Sequence, residues 1–340
     1  MGYAHFSPAP LSFIVCNQCG LAGVDHGSAG NALDYFEEKS YVERQSPTQY
    51  VHSPISGSIL TAQQHQLELL DHVTTEDVAV LDIGCHDGRL LRALREKYPI
   101  ARLVGYDLSN EYEKHFSAYD IIYSSNGLDK IEAPFDLITL VHSLQYKPDL
   151  SALFDQVKRL LSPHGHLYLQ VPDVSKKPCA LLLTDLYHHF TLASMDNLLA
   201  MHGFQVDAII HSGFARDIVV RASVARKGVS NKPGARYHFN EGVSKLIQFS
   251  KDILVLKECG SFIILGTTIE AAFTSFLLGD KCAGFIDEAP GTSGTTFQGF
   301  KVRHPDELAV TESTLLPLGQ SATKVLSRFS STYNGSFTLV

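Results

Sequence analysis

The chain has 340 residues, a formal net charge of −8, 44% apolar residues and 19% charged ones. This is a globular composition with material for one large or two modest domains. It shows neither the basic cluster that a nucleic-acid duplex partner calls for nor the apolar run of roughly 18–20 residues that a membrane span needs, and six cysteines without a leader-like N-terminus fit a reducing cytoplasm better than a disulfide framework.

Residues 1–50 carry one signal, the run Phe13-Ile14-Val15-Cys16-Asn17-Gln18-Cys19-Gly20. A CxxCG knuckle after a short strand is half of a common zinc site, in which four donors surround the metal tetrahedrally. Cys16 and Cys19 supply two, and no second CxxC follows. His5 and His26 are the candidates to complete a set; the alternative is a pair of reduced cysteines without metal. After the turn signal Ser53-Pro54, Leu60, Leu67, Leu70 and Val73 recur at helical spacing and predict a helix from about Ile59 to His72.

The stretch VAVLDIGCHDGRLLRALREKY (Val78–Tyr98) then reads as strand, tight turn and helix. The apolar run reaches Asp82, the turn is Gly84-Cys85-His86-Asp87-Gly88, and Leu90, Leu91 and Leu94 share one helical face. Such a turn presents backbone N–H groups at a helix N-terminus, where a carboxylate or phosphate is held. A second buried strand, Leu103–Asp107, ends in an acid, and a glycine turn followed by such an acid is a nucleoside-binding arrangement. No GK[ST] follows the turn, which excludes a P-loop. His86 stands where a dinucleotide fingerprint needs its second glycine, which blocks the close approach of a pyrophosphate. A third option is S-adenosylmethionine, which has no phosphate and needs a turn that receives its methionine carboxylate and an acid for its ribose diol.

The pattern continues with a helix over Asn110–Tyr119, a strand over Asp120–Tyr123, and an apolar strand over Phe135–Val141. A helix near Asp149–Leu161 follows, then a turn at Pro163-His164-Gly165 and a strand over His166–Val171. Five strand–helix alternations argue for a parallel sheet covered on both faces. A helix over Ser194–His202 and strands over Phe204–Ile210 and Ile218–Ala225 would add an antiparallel edge. Residues 227–234 are linker-like. Beyond them come a helix over Phe239–Leu256, a second strand–glycine–helix device at Ser261–Ala272, a strand over Cys282–Asp287, and a glycine-rich loop over 291–299. A strand over Leu315–Leu318, a helix over Ser321–Phe329 and a last strand over Ser336–Val340 close the chain. The expected organisation is an N-terminal segment (1–50), a Rossmann-like doubly wound α/β domain (51–226) and a smaller C-terminal α/β domain (235–340).

VLDIGCHDGRLL, with Asp107 and with FDLITLVHSLQYKPDLSALFDQVKRLLSPHGHLYLQVPD (Phe135–Asp173), resembles the class I S-adenosylmethionine-dependent methyltransferases. The match spans about residues 55–225. His86 replaces the usual glycine, and histidine visits the left-handed backbone region more readily than most residues. The resemblance implies that Gly84, Cys85, His86 and Gly88 line the methionine end of the cofactor, with Asp82 beneath its ammonium. Asp107 would take the ribose hydroxyls, Leu108 would pack on the adenine, and Ser125 and Asn126 would lie at its edge. Val141 and His142 would face the sulfonium and the substrate. A helix-capping role is the alternative for Asp107, and a structural role for His142.

PLSFIVCNQCGL and the C-terminal segment from Gly260 to Leu308 resemble one subgroup, the bacterial nucleotide-sugar C-methyltransferases. The first cysteine pair of that subgroup is absent, the turn after Gly266 is Thr267-Thr268, and Asp185-Leu186-Tyr187-His188-His189-Phe190-Thr191 stands where a Glu-His pair is expected. A carbon or oxygen nucleophile needs a base to take its proton, worth roughly 10²–10⁴-fold. His189 or His188, in a stretch expected to be loop leading into helix, are candidates, with Tyr187 or Tyr146 assisting. Capping of the following helix is the alternative. The implied function is methyl transfer to a small molecule: C-methylation of a nucleotide-linked sugar, O-methylation of a sugar or other metabolite, or a non-catalytic methyltransferase-like scaffold.

Overall fold

The computed structural model describes residues 12–24, 50–70, 76–183, 185–211, 214–225, 235–289, 291–318 and 322–340. His5, His26, residues 72–73, Gly213 and the 227–234 linker lie outside them. The described residues divide into two compact units, one from 12–173 and 185–239, the other from 174–183 and 240–340.

The first unit opens with β1 (Phe13–Val15) and β2 (Ala22–Val24), an antiparallel pair closed by the Cys16–Cys19 turn. β3 (Tyr50–His52), β4 (Ile59–Thr61) and α1 (Ala62–Leu70) follow. The helix expected from Ile59 therefore starts three residues later. Ile59–Thr61 instead pair antiparallel with Tyr50–His52, as β-branched residues favour. Thr61 and Gln64 then close the start of α1 reciprocally: the Thr61 N–H donates to Gln64 Oε1 (2.9 Å) and the Gln64 N–H to Thr61 Oγ1 (3.2 Å).

The main elements of this unit are β5 (Ala79–Ile83), α2 (Arg89–Lys97), β6 (Arg102–Tyr106), β7 (Ile122–Ser124), β8 (Phe135–Val141), α3 (Leu150–Leu160), β9 (Leu161–Pro172), β10 (His188–His189), α4 (Leu192–Met201), β11 (Phe204–Ile209) and β12 (Asp217–Val224). Seven strands form one sheet in the order β11-β12-β9-β8-β5-β6-β7. β9, β8, β5, β6 and β7 are parallel neighbours, while β12 runs antiparallel to both β9 and β11. This is the doubly wound sheet with an antiparallel edge that the alternation predicted. Leu81, Ile83, Leu103, Leu137, Ile138 and Leu140 are buried along β5, β6 and β8, as the near-continuous apolar runs of a two-sided parallel sheet require. α2 buries Leu90, Leu91 and Leu94 and ends on Arg95 and Lys97, where positive charge suits the helix dipole. Each buried leucine stabilises the fold by about 1.5–3 kcal/mol relative to an exposed one.

Three local expectations are corrected. Residues 110–119 form two short 3₁₀ segments, Asn110–His115 and Ser117–Tyr119, rather than an α-helix. Ser109 Oγ accepts from the Glu111 N–H, Tyr112 and Phe116 are buried, and Asp120 stops the run with a left-handed φ of 52°. Pro163–Gly165 do not end α3 in a turn but lie within β9. The ladder jumps from Phe135↔Leu161 to Leu137↔His166, so residues 162–165 bulge out, where a proline with no N–H costs the sheet nothing. The tandem histidines are strand, not loop: His188 pairs with Gly23 and His189 with Ala22, making β10 the third strand beside β2.

In the second unit, α5 (Ala235–Lys257, counted here from residue 240) precedes β13 (Phe262–Leu265), α6 (Ile269–Leu278), β14 (Cys282–Ile286), β15 (Thr296–Phe297), β16 (Phe300–Arg303), β17 (Ser313–Leu316), α7 (Ala322–Thr332) and β18 (Ser336–Leu339). The sheet order is β15-β16-β14-β13-β17-β18, parallel except for the β15–β16 hairpin, whose first strand and turn fall in the stretch 291–299 expected to be a glycine-rich loop. Residues 174–183 pack here: Cys179 lies in one apolar cluster with Ile269 and Phe273.

Candidate functional site

Going outward from β5, the chain builds β6 and β7 on one side of the sheet and β8 and β9 on the other. The connections diverge between β5 and β8, and a ligand crevice opens above the carboxyl ends of strands at such a switch point. The glycine turn sits there. The Gly84 N–H donates to the Tyr106 carbonyl (2.7 Å), and so does the Cys85 N–H (3.2 Å), which ties the turn to the end of β6. Gly84 has φ +81°, and a Cβ at that position would lie 2.4 Å from Ser143 Cβ. Ser143 in turn donates its hydroxyl to the Ile83 carbonyl (2.6 Å). At Gly88, which caps α2 with φ +75°, a Cβ would lie 2.5 Å from Phe116 Cε1. Both glycines answer a backbone that must turn left-handed in contact with a neighbour.

His86 adopts φ +49°, the left-handed conformation expected of it. Its ring lies 4.6 Å from that of Tyr112. Its N–H donates to Asp107 Oδ2 and the Leu108 N–H donates to Asp107 Oδ1, each at 2.8 Å. The acid after the second strand is thereby pinned to the turn after the first. A carboxylate has about four acceptor sites, so each oxygen keeps capacity for a hydroxyl.

Asp82 is buried at the end of β5 and accepts from Thr139 Oγ1 at 2.7 Å. Burial drives its carboxyl up to about 7, against the Thr139 hydrogen bond and with help from the charge of Asp107. Burial likewise pushes the Cys85 thiol up. Burial also opposes ionisation of Asp87, but hydrogen bonds from His86 and Arg89 outweigh it and hold Asp87 below the usual carboxylate range. Lys147, whose Nζ lies 6.0 Å from the centre of the Tyr106 ring, is lowered by burial, with the charge of Asp107 opposing.

The other sequence-selected residues divide by position. Leu108 and Ser125 are half-buried and Asn126 exposed around the ends of β6 and β7, and Val141 is half-buried at the end of β8. Tyr146 lies in the 3₁₀ turn Leu144–Tyr146 that follows Ser143. β10 is tied to the same turn: the Tyr187 N–H donates to the Gln145 carbonyl (2.9 Å) and His188 Nε2 to the Lys147 carbonyl (3.0 Å). Tyr146, Tyr187 and His188 thus gather beside the loop that closes on Gly84. His189 is buried with its ring edge-on to Phe13 at 5.4 Å.

His142 takes φ +50° and donates its N–H to the Gln170 carbonyl (2.8 Å). Its Nε2 lies 3.1 Å from Asp217 Oδ2 and 3.2 Å from Gln170 Nε2. Asp217 and Gln170 escape sequence reasoning because they come from β12 and β9, with no motif around them. Ser143 and Thr139 are missed for the same reason, each being one residue in an apolar strand or its end.

Among the described residues no cluster of three or more His, Cys, Asp or Glu side chains could hold a metal. Cys16 and Cys19 provide two of the four donors that structural zinc needs, so the described donor set does not fit the ion. The Cys16 thiol is lowered by the Cys19 backbone N–H, and burial pushes Cys19 up to about 11. Asn197 Nδ2 donates to the Cys19 carbonyl (3.5 Å), docking the knuckle on α4. No described helix is long and apolar enough to cross a membrane.

A doubly wound sheet with a glycine turn at its switch point and an acid pinned to that turn is the architecture that nucleoside-binding α/β proteins use. The family model described as a methyltransferase domain matches residues 36–209, just over half of the chain, and the chain belongs to that family. It is 32% identical over 145 residues to a trans-aconitate 2-methyltransferase of Escherichia coli O17:K52:H18, covering 41% of this chain and 56% of that protein. A second such enzyme, from Escherichia coli O157:H7, is 28% identical over 180 residues, 51% of this chain and 69% of the relative. The chain spans about half to two thirds of the length of these relatives. Among solved structures, an S-adenosylmethionine-dependent methyltransferase from Mesorhizobium loti is similar over 46% of this chain and 97% of its own, with 22% identity and a TM-score of 0.39. The plantazolicin methyltransferase BpumL in complex with SAH is similar over 48% and 83%, with 16% identity and a TM-score of 0.41.

Proposed function

We propose that the larger unit binds S-adenosyl-L-methionine and transfers its methyl group to a small molecule. The observation that carries this reading is the pinning of Asp107 to the glycine turn, by the His86 and Leu108 N–H groups, at the switch point of the sheet. The cofactor supplies an electrophilic methyl on a sulfonium. The residues suit its parts. Gly84, Cys85, His86 and Gly88 form the turn for its carboxylate, and Asp82 lies at the base of that turn for its ammonium. Asp107 has acceptor capacity for the ribose diol, and Leu108, Ser125 and Asn126 border the adenine. Val141 and His142 flank the reacting end, with Tyr146, Tyr187, His188 and His189 on the acceptor side. Positioning two partners in line is the main task in such a displacement, and orientation alone contributes several kcal/mol or more.

The finer reading, C-methylation of a nucleotide-linked sugar, is supported by the likeness of the Cys16–Cys19 knuckle and the C-terminal unit to that subgroup. O-methylation of a sugar or other metabolite is the alternative. The cofactor assignment is tested by calorimetry. Wild type is expected to bind S-adenosylmethionine, and Asp107→Ala to weaken binding at least tenfold. Equal affinity in the two proteins removes Asp107 from the ribose site. No binding by wild type at millimolar cofactor points to a non-catalytic methyltransferase-like protein.

A further inference from the structure

Beyond the cofactor cradle, one polar network at the crevice has no use in holding a nucleoside. Gln66 of α1 donates its Nε2 to Gln170 Oε1 at 3.0 Å, and the Tyr168 hydroxyl stands 3.5 Å from the same oxygen. With its oxygen engaged, the Gln170 amide turns its Nε2 to Asp217 Oδ2 (2.8 Å). The same Asp217 oxygen lies 3.1 Å from His142 Nε2. Gln66, Gln170 and Tyr168 are all buried, and the Asp217 side chain is 11% exposed, so the network is preorganised by packing rather than by surface contact.

His142 is the one member that reaches out of it, with 43% of its side chain exposed. It follows the last residue of β8 and precedes Ser143, whose Cβ closes on Gly84, so it stands at the mouth of the crevice. Its left-handed backbone is a conformation held against its own cost, as is common where a side chain is aimed for use. Among the described residues the polar contacts of the ring are made at Nε2. Two groups stand at Nε2, the Gln170 amide nitrogen (3.2 Å) and the Asp217 carboxylate (3.1 Å); because the Gln170 N–H is given to Asp217 (2.8 Å), the carboxylate is the acceptor for a ring proton on Nε2, and Nδ1 is then the unprotonated nitrogen. A buried acid that fixes a histidine tautomer and stabilises the imidazolium is the arrangement by which enzymes make a general base.

We infer that His142 is the base for the acceptor, with Asp217 and Gln170 as its positioning residues, and that the acceptor is therefore a group that must lose a proton, taken here as the hydroxyl of the O-methylation alternative, rather than a carboxylate. The inference rests on the methyltransferase reading above. A carboxylate at neutral pH already presents an unprotonated oxygen and gains nothing from a base, and the Asp217 charge behind His142 repels it. A hydroxyl must lose a proton. Its oxygen forms a bond to the methyl carbon, the carbon–sulfur bond breaks with its electron pair left on sulfur, and the hydroxyl proton passes to His142 Nδ1.

Two measurements on the full chain test this. In the first, ¹⁵N spectra of the histidine rings are recorded for the SAH-loaded protein, with no acceptor needed. His142 is expected to carry its proton on Nε2 in wild type and to show mixed tautomers in Asp217→Asn, whose SAH affinity stays within twofold of wild type. Mixed tautomers already in wild type, or no change in Asp217→Asn, overturn the pairing. In the second, methyl-labelled S-adenosylmethionine and a metabolite extract are incubated with wild type, Asp217→Asn and His142→Gln. The expected product holds its label in hot alkali, and its labelled methyl shows the ¹³C shift of a methoxy group; a C-methyl shift overturns the hydroxyl acceptor. Transfer should fall about 10²-fold in either variant. Label released as methanol, as from a methyl ester, or transfer to trans-aconitate at a rate that Asp217→Asn leaves unchanged, overturns the acceptor class. If the cofactor binds and no label moves, the methyltransferase reading falls and this inference with it, whatever the ring spectra show.

Discussion

Asp82 offers a pH-dependent test of how the crevice is built. The carboxyl is buried at the end of β5 with Thr139 as its hydrogen-bond donor, and burial raises it from 3.8 to about 7. In the unfolded chain the same group ionises near 3.8. Between those two values the folded protein holds a proton that the unfolded protein releases. Stability therefore declines as pH rises through this window, the reverse of a salt-bridged aspartate. At about 1.36 kcal/mol per pH unit, the move from 3.8 to about 7 corresponds to about 4 kcal/mol. Asp82→Asn keeps the shape and the Thr139 acceptor but carries no titrating proton. The stability of Asp82→Asn minus that of wild type should be near zero at pH 4, grow by about 1.4 kcal/mol per pH unit, and level off above pH 7 at about 4 kcal/mol. Urea unfolding of both proteins from pH 4 to 9, followed through the transition of the seven-stranded unit, measures it. A difference that stays constant across that range refutes the burial-driven protonation of Asp82.

Gly84→Ala should disrupt the turn on two counts, a φ of +81° and a Cβ 2.4 Å from Ser143 Cβ. We expect cofactor binding to fall at least tenfold by calorimetry, and a partial return in the double variant Gly84→Ala/Ser143→Gly, since only the clash and not the backbone strain is relieved. Thr191 and Ser194 form a reciprocal cap at the start of α4, with N–H to hydroxyl distances of 2.9 and 3.2 Å. Thr191→Ala should cost about 1 kcal/mol in urea unfolding, while cofactor affinity stays the same.

The order of the strands from β5 through β9, with α2 and α3 between them, was legible in the sequence. Val80, Leu81, Leu103, Leu137 and their neighbours form apolar runs long enough for two-sided burial, and Leu90, Leu91 and Leu94 repeat at helical spacing. His86 in the glycine turn and Asp107 after the next strand were legible too, because both belong to one local βαβ unit. The failures came where a local pattern competed with a distant partner. Ile59–Thr61 looked like the first turn of a helix but pair with Tyr50–His52. Pro163-His164-Gly165 looked like a helix stop but ride as a bulge inside β9. His188 and His189 looked like a loop but complete a sheet with residues 22–23, more than 160 positions away.

The sequence by itself determined the strand, glycine turn and helix of residues 79–97, since these are set by neighbours within about thirty residues and the residue types record them. Only the tertiary structure decided what stands around that turn. Ser143 closing on Gly84, Thr139 beneath Asp82, and the line from Gln66 through Gln170 and Asp217 to His142 join residues 47 to 104 positions apart. Apart from Gln66 on α1, each is a single polar side chain in an apolar strand or at its end. Its role comes from which strands the sheet places side by side, and no periodicity or spacing along the chain carries that information.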